Sequence, residues 1–228
     1  MRKLNLNLPN RHNELKFNNK VFDSIDTEEK AYWLGFLYAD GSISSKDNHV
    51  ELSLKGDDKN HLEKFKSFLD SKNPVRIGIA KCGDKIYSRC RFTATDLHFH
   101  NRLIELGCIP NKSLILKFPN KNIFTSQDLL IPFIRGYVDG DGCLSYTRNG
   151  RLTIEIIGTK EFLEEIIALY PNIFTSTFHK DKRCPNSNTY FISCSYNKAD
   201  KFATLLYNSA TIYLDRKYNR FAVLRRNS

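Results

Sequence analysis

At 228 residues, with 41% hydrophobic and 12% aromatic side chains, the chain can hold one large domain or two ordinary ones around a buried core. No apolar run approaches the roughly 18 to 20 residues of a membrane span, and the opening MRKLNLNLPNRHNELKF lacks an apolar h-region, so neither a membrane protein nor a secreted one is expected. The formal charge of +10, from 35 basic against 25 acidic residues, favours a polyanionic partner, because each phosphate neutralised releases condensed counterions.

In chain order, residues 1–24 read as a polar N-terminal arm. SIDTEEK then predicts a helix start, with Asp26 accepting backbone N–H groups and Glu29 completing a capping-box spacing. The apolar run AYWLGFLYADG comes next, carrying Gly35 and Ala39 and stopping at Asp40–Gly41. In NHVELSLKG, Val50, Leu52 and Leu54 alternate with polar residues, the mark of a strand with one buried face. Leu62, Phe65 and Leu69 then recur at helical spacing. YSRCRFTATD predicts another strand, Leu103 and Leu106 another helix, and IPNKS around Lys112 ends the unit.

Pro and Asn break the pattern near KFPNKNIFTSQ, dividing a first half, 25–117, from a second, 118–228. The second half repeats the first. Thr125 and Asp128 offer the capping spacing again, and Pro132 either opens the next helix in its first turn or kinks a longer one. PFIRGYVDGDG carries Gly136 and Gly140 and stops at Asp141–Gly142. GRLTIEIIG alternates at Leu152, Ile154 and Ile156; Leu163, Ile166 and Tyr170 mark a helix. YFISCSYNKAD sets Cys194 against Cys90; Phe202, Leu205 and Leu206 lead on to LDRKY around Lys217. Asp40 and Asp141 lie 101 positions apart and Lys112 and Lys217 lie 105 apart, a drift that small loop insertions produce. Two copies of an α-β-β-α-β-β-α-like unit are predicted.

The repeated phrase carries its own chemistry. A glycine inside a helix costs about 1 kcal/mol relative to alanine, so using it twice needs a reason. Gly35 with Ala39, and Gly136 with Gly140, are small residues four apart, which lets two helix backbones approach closely. Their C-terminal ends would then meet, with Gly41 and Gly142 expected as left-handed caps. Asp40 and Asp141 would stand side by side at the negative ends of two helix dipoles, a site that repels itself unless cations fill it. Oxygen ligands suit Mg²⁺. An EF-hand reading of DGDG fails, because positions six and twelve counted from Asp139 hold Leu144 and Gly150. The six scattered cysteines, with no CxxC, are expected as reduced thiols rather than zinc ligands.

WLGFLYADG and IRGYVDGDG resemble the paired signatures of the LAGLIDADG homing endonucleases, in the single-chain form with two motifs. The likeness runs from about residue 20 to the end and includes LGCIPNKS and ATIYLDRKYNRF. It implies an α+β fold of two pseudo-symmetric αββαββα halves, with the motif helices at the centre and antiparallel sheets forming a saddle over DNA. It implies further that Asp40 and Asp141 bind the catalytic Mg²⁺ ions, with Mn²⁺ or Ca²⁺ able to substitute for binding, assisted by the carbonyls of Ala39 and Gly140. One phosphodiester in each strand would be hydrolysed, leaving staggered ends. Lys112 and Lys217 end their halves where a catalytic lysine is expected. Tyr38 departs from the pattern where Asp139 keeps the motif's first acid, a position expected to be structural. Trp33 and Arg135, unusual in their slots, are expected on helix faces turned away from the interface.

Strand alternation supplies a DNA-facing set. Tyr87, Arg89, Arg91 and Thr93 share one face, with Arg76, Lys81 and Lys85 flanking it and Lys46 and Lys55 beside it. The second half offers Arg148, Arg151 and Thr153, and a hairpin with Lys180, Lys182 and Arg183. The unequal faces imply a monomer on a long, asymmetric double-stranded target. The sequence therefore reads as a site-specific, Mg²⁺-dependent endonuclease of a mobile element, acting in intron homing. The alternatives are a maturase acting on intron RNA and a non-cleaving DNA-binding regulator. The expected location is the cytoplasm, or an organelle matrix if the gene is organellar.

Overall fold

The computed structural model describes residues 17–82, 85–180 and 188–226, excepting the side chains of 82, 85, 113 and 223–226. The first half runs α1 (Glu28–Asp40), β1 (Gly41–Ile43), β2 (His49–Lys55), α2 (Lys59–Phe68), β3 (Arg76–Cys82), β4 (Lys85–Thr95) and α3 (Leu97–Glu105). The second repeats it as α4 (Leu130–Asp141), β5 (Gly142–Tyr146), β6 (Leu152–Gly158), α5 (Lys160–Leu169), β7 (His179–Lys180), β8 (Tyr190–Ser195) and α6 (Asn197–Tyr207), with α7 (Asp215–Arg226) added. Two antiparallel four-stranded sheets result, in the orders β1-β2-β4-β3 and β5-β6-β8-β7. The fold is α+β and two-halved, as the repeat predicts. No helix among the described residues is long and apolar enough to cross a membrane.

The alternating strands bury the predicted face. Val50, Leu52 and Leu54 of β2, and Leu152, Ile154 and Ile156 of β6, face the core beneath Leu62 and Phe65 of α2 and Leu163 and Ile166 of α5. Residues 17–24, the end of the expected arm, are seated on the first half. Phe22 is fully buried against Phe68 and Phe99, and Asn18 N–H donates to the Leu69 carbonyl at 2.7 Å.

Register corrects one sequence pairing. Gly41 opposes Leu52, which opposes Phe92; Gly142 opposes Ile156, which opposes Ile192. Phe92 therefore matches Ile192, so Ala94 matches Cys194 and Cys90 matches Tyr190. The pairing of the two cysteines is four residues out of step. An even slip keeps the in–out alternation, so the pattern alone cannot reveal it.

Helix starts also differ from expectation. Thr27, not Asp26, caps α1 by accepting from Lys30 N–H at 3.2 Å, while Asp26 pairs with the Lys30 ammonium at 2.8 Å. Ser126, not Thr125, accepts from Asp128 N–H at the short 3₁₀ turn leading into α4. Pro132 is the third residue of α4, so it sits in the first turn, where its missing N–H costs nothing.

Candidate active site at the paired helix ends

The site begins with two glycines. A Cβ on Gly35 would collide with the Phe133 carbonyl, and one on Gly136 with the Tyr32 carbonyl and Phe36 N, so α1 and α4 cross backbone to backbone. A Cβ on Gly140 would meet the Ala39 methyl and, 3.2 Å away, an Asp40 carboxylate oxygen. Gly35, Ala39, Gly136 and Gly140 thus form the predicted interface and bring both helix C-termini together. Gly41 and Gly142 are not left-handed: their φ values are −69° and −88°. They are required because the chain turns straight into β1 and β5, where a Cβ would strike the carbonyls of Leu37 and Val138.

Asp40 and Asp141, the last residues of α1 and α4, are half-buried beside one another. Burial and the neighbouring Asp40 charge push the Asp141 carboxyl up to about 7, against the pull of Lys112 and Lys217. Asp40 is also raised by burial, opposed by Lys217, Lys112 and Arg216. The pair is electrostatically frustrated, which is the condition for binding cations.

The two lysines plug this end of the helix pair. Lys217, 3% exposed, donates from Nζ to the carbonyls of Val138, Asp139, Gly140 and Gly142 at 2.6, 2.7, 3.3 and 2.5 Å. It neutralises the dipole end of α4, reaching the Asp139 and Gly140 carbonyls of the last turn and sharing the Val138 carbonyl with Gly142 N–H. Burial holds its ammonium down to about 8. Lys112 donates to the Gly41 carbonyl, and burial lowers it too. Since Lys217 Nζ already reaches the Gly140 carbonyl, that expected metal-assisting group has a partner in the protein.

Behind the acids lies a buried polar cluster that periodicity does not reveal. Asp139, fully buried, accepts from Tyr207 Oη at 2.6 Å, Tyr32 Oη at 2.7 Å and Leu214 N–H at 2.7 Å. Tyr32 spends its proton on Asp139, which leaves His61 Nε2–H to donate to Tyr32 at 3.0 Å; burial lowers His61 to about 3, so it is neutral. Asp139 thereby fixes Leu214, three residues before Lys217. In the first half Tyr38 fills the same slot and donates to the Leu106 carbonyl at 2.5 Å, six residues before Lys112. Arg135 corrects an expectation: it is buried at the interface, 5.6 Å over the Tyr32 ring, paired with Glu28 of α1 and donating to the Leu206 carbonyl at 2.8 Å. Trp33 does face away from α4, its ring tilted against Phe65 of α2 with centroids 4.9 Å apart.

Each acid opens into its own cleft on the outer side of a sheet. Asp40 shares an open cleft of 930 Å³ with Ser53, Lys55, Tyr87, Arg89 and Arg216. Asp141 shares a smaller one of 150 Å³ with Tyr137, Ile157, Thr159, Thr189 and Lys112. Sequence reasoning misses Arg216, which only its position beside Lys217 marks. Its Nε donates to both oxygens of buried Asp58, at 2.9 and 3.2 Å.

The outer faces are unequal. On the first sheet Arg76, Tyr87, Arg89, Arg91 and Thr93 share a face with Glu51, Ser53 and Lys55, while the Lys85 side chain lies outside the described residues. Glu51 ties Arg89 at 3.3 Å and Arg91 at 3.6 Å. Lys81 opposes Ile86 on the reverse face, beside exposed Ile77 and Ile79, so it does not flank the set. Lys46 is exposed in the β1–β2 loop. On the second sheet the outer face holds Cys143, Ser145, Thr153, Glu155, Phe191 and Ser193, and no Lys or Arg among the described residues. Arg148 and Arg151 are exposed at and beside the β5–β6 turn, Arg151 lying 5.0 Å over Tyr196. Lys180 opposes Tyr190 and shares the strand face of Ile192, so it too leaves the predicted surface. Lys182 and Arg183 lie outside the described residues.

The same architecture occurs in solved structures. The homing endonuclease I-WcaI bound to its DNA recognition sequence superposes with a TM-score of 0.60 at 14% identity, over 86% of this chain and 87% of that one. This is the homing endonuclease fold. The I-LtrWI LAGLIDADG homing endonuclease bound to target DNA gives 0.52 at 13% identity, over 91% and 90%. Full-length DUF199/WhiA from Thermatoga maritima gives 0.50 at 16%, over 91% of this chain and 61% of that one. No family model matches the sequence. A curated relative, an uncharacterized protein of Methanocaldococcus jannaschii, is 26% identical over 141 residues, 61% of this chain and 51% of that protein. The match thus spans about half the length of that relative.

Proposed function

We propose that the protein is a site-specific DNA endonuclease of the LAGLIDADG kind, hydrolysing one phosphodiester in each strand at Asp40 and Asp141. The observation that carries the reading is the meeting of two half-buried carboxylates at the ends of helices packed through Gly35 and Gly136. Both acids open on the side of the outer sheet faces, so a duplex lying across the sheets passes over them. The DNA-bound homing endonucleases of the same fold support this reading.

Divalent cations fit the donor set. Two carboxylates supply oxygen and negative charge at a buried site where Asp141 is raised despite Lys112 and Lys217, and Mg²⁺ sites on phosphate substrates often use only one or two protein carboxylates. Asp40 and Asp141 would hold the ions, which would activate water and stabilise the leaving oxygen. The chain's own residues do the rest. Lys217 and Lys112 hold positive charge beside the acids, Asp139 and Tyr38 pin the segments that carry those lysines, and the cations of the first sheet anchor phosphate.

Asp40→Asn and Asp141→Asn are each expected to reduce cutting by at least about 10³-fold, while DNA binding in gel shift persists. Chelation of divalent ions should stop the wild type as well. Cutting that survives in both variants would overturn the site. A second reading is a non-cleaving DNA-binding regulator on the same scaffold, and the fold does occur in a protein whose name does not mark it as an endonuclease, DUF199/WhiA. That reading predicts target binding without strand scission at any Mg²⁺ concentration.

A further inference from the structure

We infer that one of the two clefts contains an added phosphate subsite: the Arg216 guanidinium, aimed by the buried carboxylate of Asp58, beside Asp40. The inference rests on the nuclease reading and makes the two strand cleavages chemically unequal.

The orientation of Arg216 is fixed at one edge. Its Nε donates to both oxygens of Asp58, and its two Nη groups have no acceptor among the described residues. Asp58 is 8% exposed, whereas the Arg216 side chain is 52% exposed and lines the same cleft as Asp40. A guanidinium held through Nε presents its Nη pair as a planar fork, the geometry that takes two non-bridging phosphate oxygens at once. Other cations nearby, exposed Lys55 of the same cleft apart, are already committed. Lys217 donates to helix carbonyls, Lys112 to the Gly41 carbonyl, and Arg89 to Ser53 and Glu51.

Asp58 has given up an ordinary task. It stands at the N-cap of α2 but makes no capping bond. In the second half Thr159 occupies the N-cap of α5 and does cap, accepting from Phe162 N–H at 3.2 Å. The difference lies in a three-residue 3₁₀ turn, Gly56–Asp58, inserted between β2 and α2; β6 enters α5 without one. The partner is one-sided as well. With Lys112 matching Lys217, the residue matching Arg216 is Asn111, neutral and in the left-handed region at φ 54°. Neither member of the pair has a counterpart across the pseudo-twofold axis. Asp58 comes from the first half and Arg216 from the second, so the subsite forms only when both are in place.

A merely structural tie between the halves would disturb both clefts alike, and strand-resolved kinetics separates the two cases. A duplex selected by the full-length protein from a randomised library, labelled on either strand, would be cut under single-turnover conditions with Mg²⁺. Arg216→Gln is expected to slow one strand by about 10²-fold, the loss typical of one charge-stabilising donor, and the other by less than about threefold. Asp58→Asn should slow that same strand by about tenfold, and Arg216→Lys should restore charge without the fork and rescue only partly. Equal slowing of both strands, or no change in either, overturns the subsite. If the wild type binds the duplex and cuts neither strand, the nuclease reading fails alone. The subsite is then decided by binding: loss of one phosphate contact lowers the salt slope by about one in Arg216→Gln, and an unchanged slope refutes it.

Discussion

The two halves share a backbone plan and differ in what they set against their acid. The Asp40 cleft is open, at 930 Å³, and lined by Lys55, Arg89 and Arg216; the Asp141 cleft is tighter, at 150 Å³, and has Lys112 as its lining cation. At matched register positions Arg91 stands where the second half has Phe191, and Arg89 where it has Thr189. Yet both keep an acid on the outer face, Glu51 and Glu155. The interface glycines are thus held in common while the charges are not. The halves share what backbone contact demands and differ in the side chains of their outer faces.

The largest expected effect tests what the halves share. Gly136→Ala places a methyl against the Tyr32 carbonyl and should destabilise the fold by about 3 kcal/mol or more; Gly35→Ala should do the same against Phe133. Thermal unfolding measures both, and a loss in only one would break the pseudo-symmetry of the helix crossing. Next comes the contrast between the lysines. Lys217→Met strips a donor from four carbonyls and should cost about 3 kcal/mol, whereas Lys112→Met strips one and should cost about 1 kcal/mol. Equal losses in urea unfolding would remove the distinction.

A pH comparison ranks third. The folded Asp141 carboxyl is raised to about 7, so the native state binds more protons than the unfolded one between the ordinary carboxylate range and pH 7. Stability attributable to this group is therefore present at low pH and lost as pH rises through that window. Asp141→Asn, which never ionises, should raise the melting temperature relative to wild type at pH 8 and leave the difference near zero at pH 4. A gain that is the same at both pH values would show that burial does not raise the group. The smallest effect sharpens the contrast between sheets. Glu51→Gln should change stability by less than about 0.5 kcal/mol, since the ion pairs are partly exposed. It frees Arg89 and Arg91 and should steepen the salt dependence of DNA binding more than Glu155→Gln, which has no ion-pair partner among the described residues.

Much of this architecture is legible in the sequence. Period-two strands, the small-residue helix faces and the matched aspartates are local or near-local signals, and the fold honours them. What sequence hides is long-range and polar. An outward face is the natural expectation for Arg135 because charge usually faces water; here Glu28 and the Leu206 carbonyl satisfy it in the core. Arg216 finds Asp58 across 158 positions, and Asp139 finds Tyr32 across 107, spacings that no periodicity encodes. Gly41 and Gly142 are necessary, but for close approach rather than for a left-handed cap, since close approach and positive φ demand the same residue. Lys81 and Lys180 fall away from the predicted DNA-facing side because composition registers charge but not pairing register.

The segment from Leu214 to Lys217 binds Asp139, Lys64, Asp58 and the end of α4 in four successive residues. For anyone exchanging halves between proteins of this architecture, that stretch sets the terms of compatibility. A transplanted second half would carry Asp215 and Arg216 into a host lacking Lys64 and Asp58, exposing two mismatched charges at the junction. Chimaeras that move residues 56–64 and 214–217 together should stay folded where exchanges of whole halves at residues 117–127 do not.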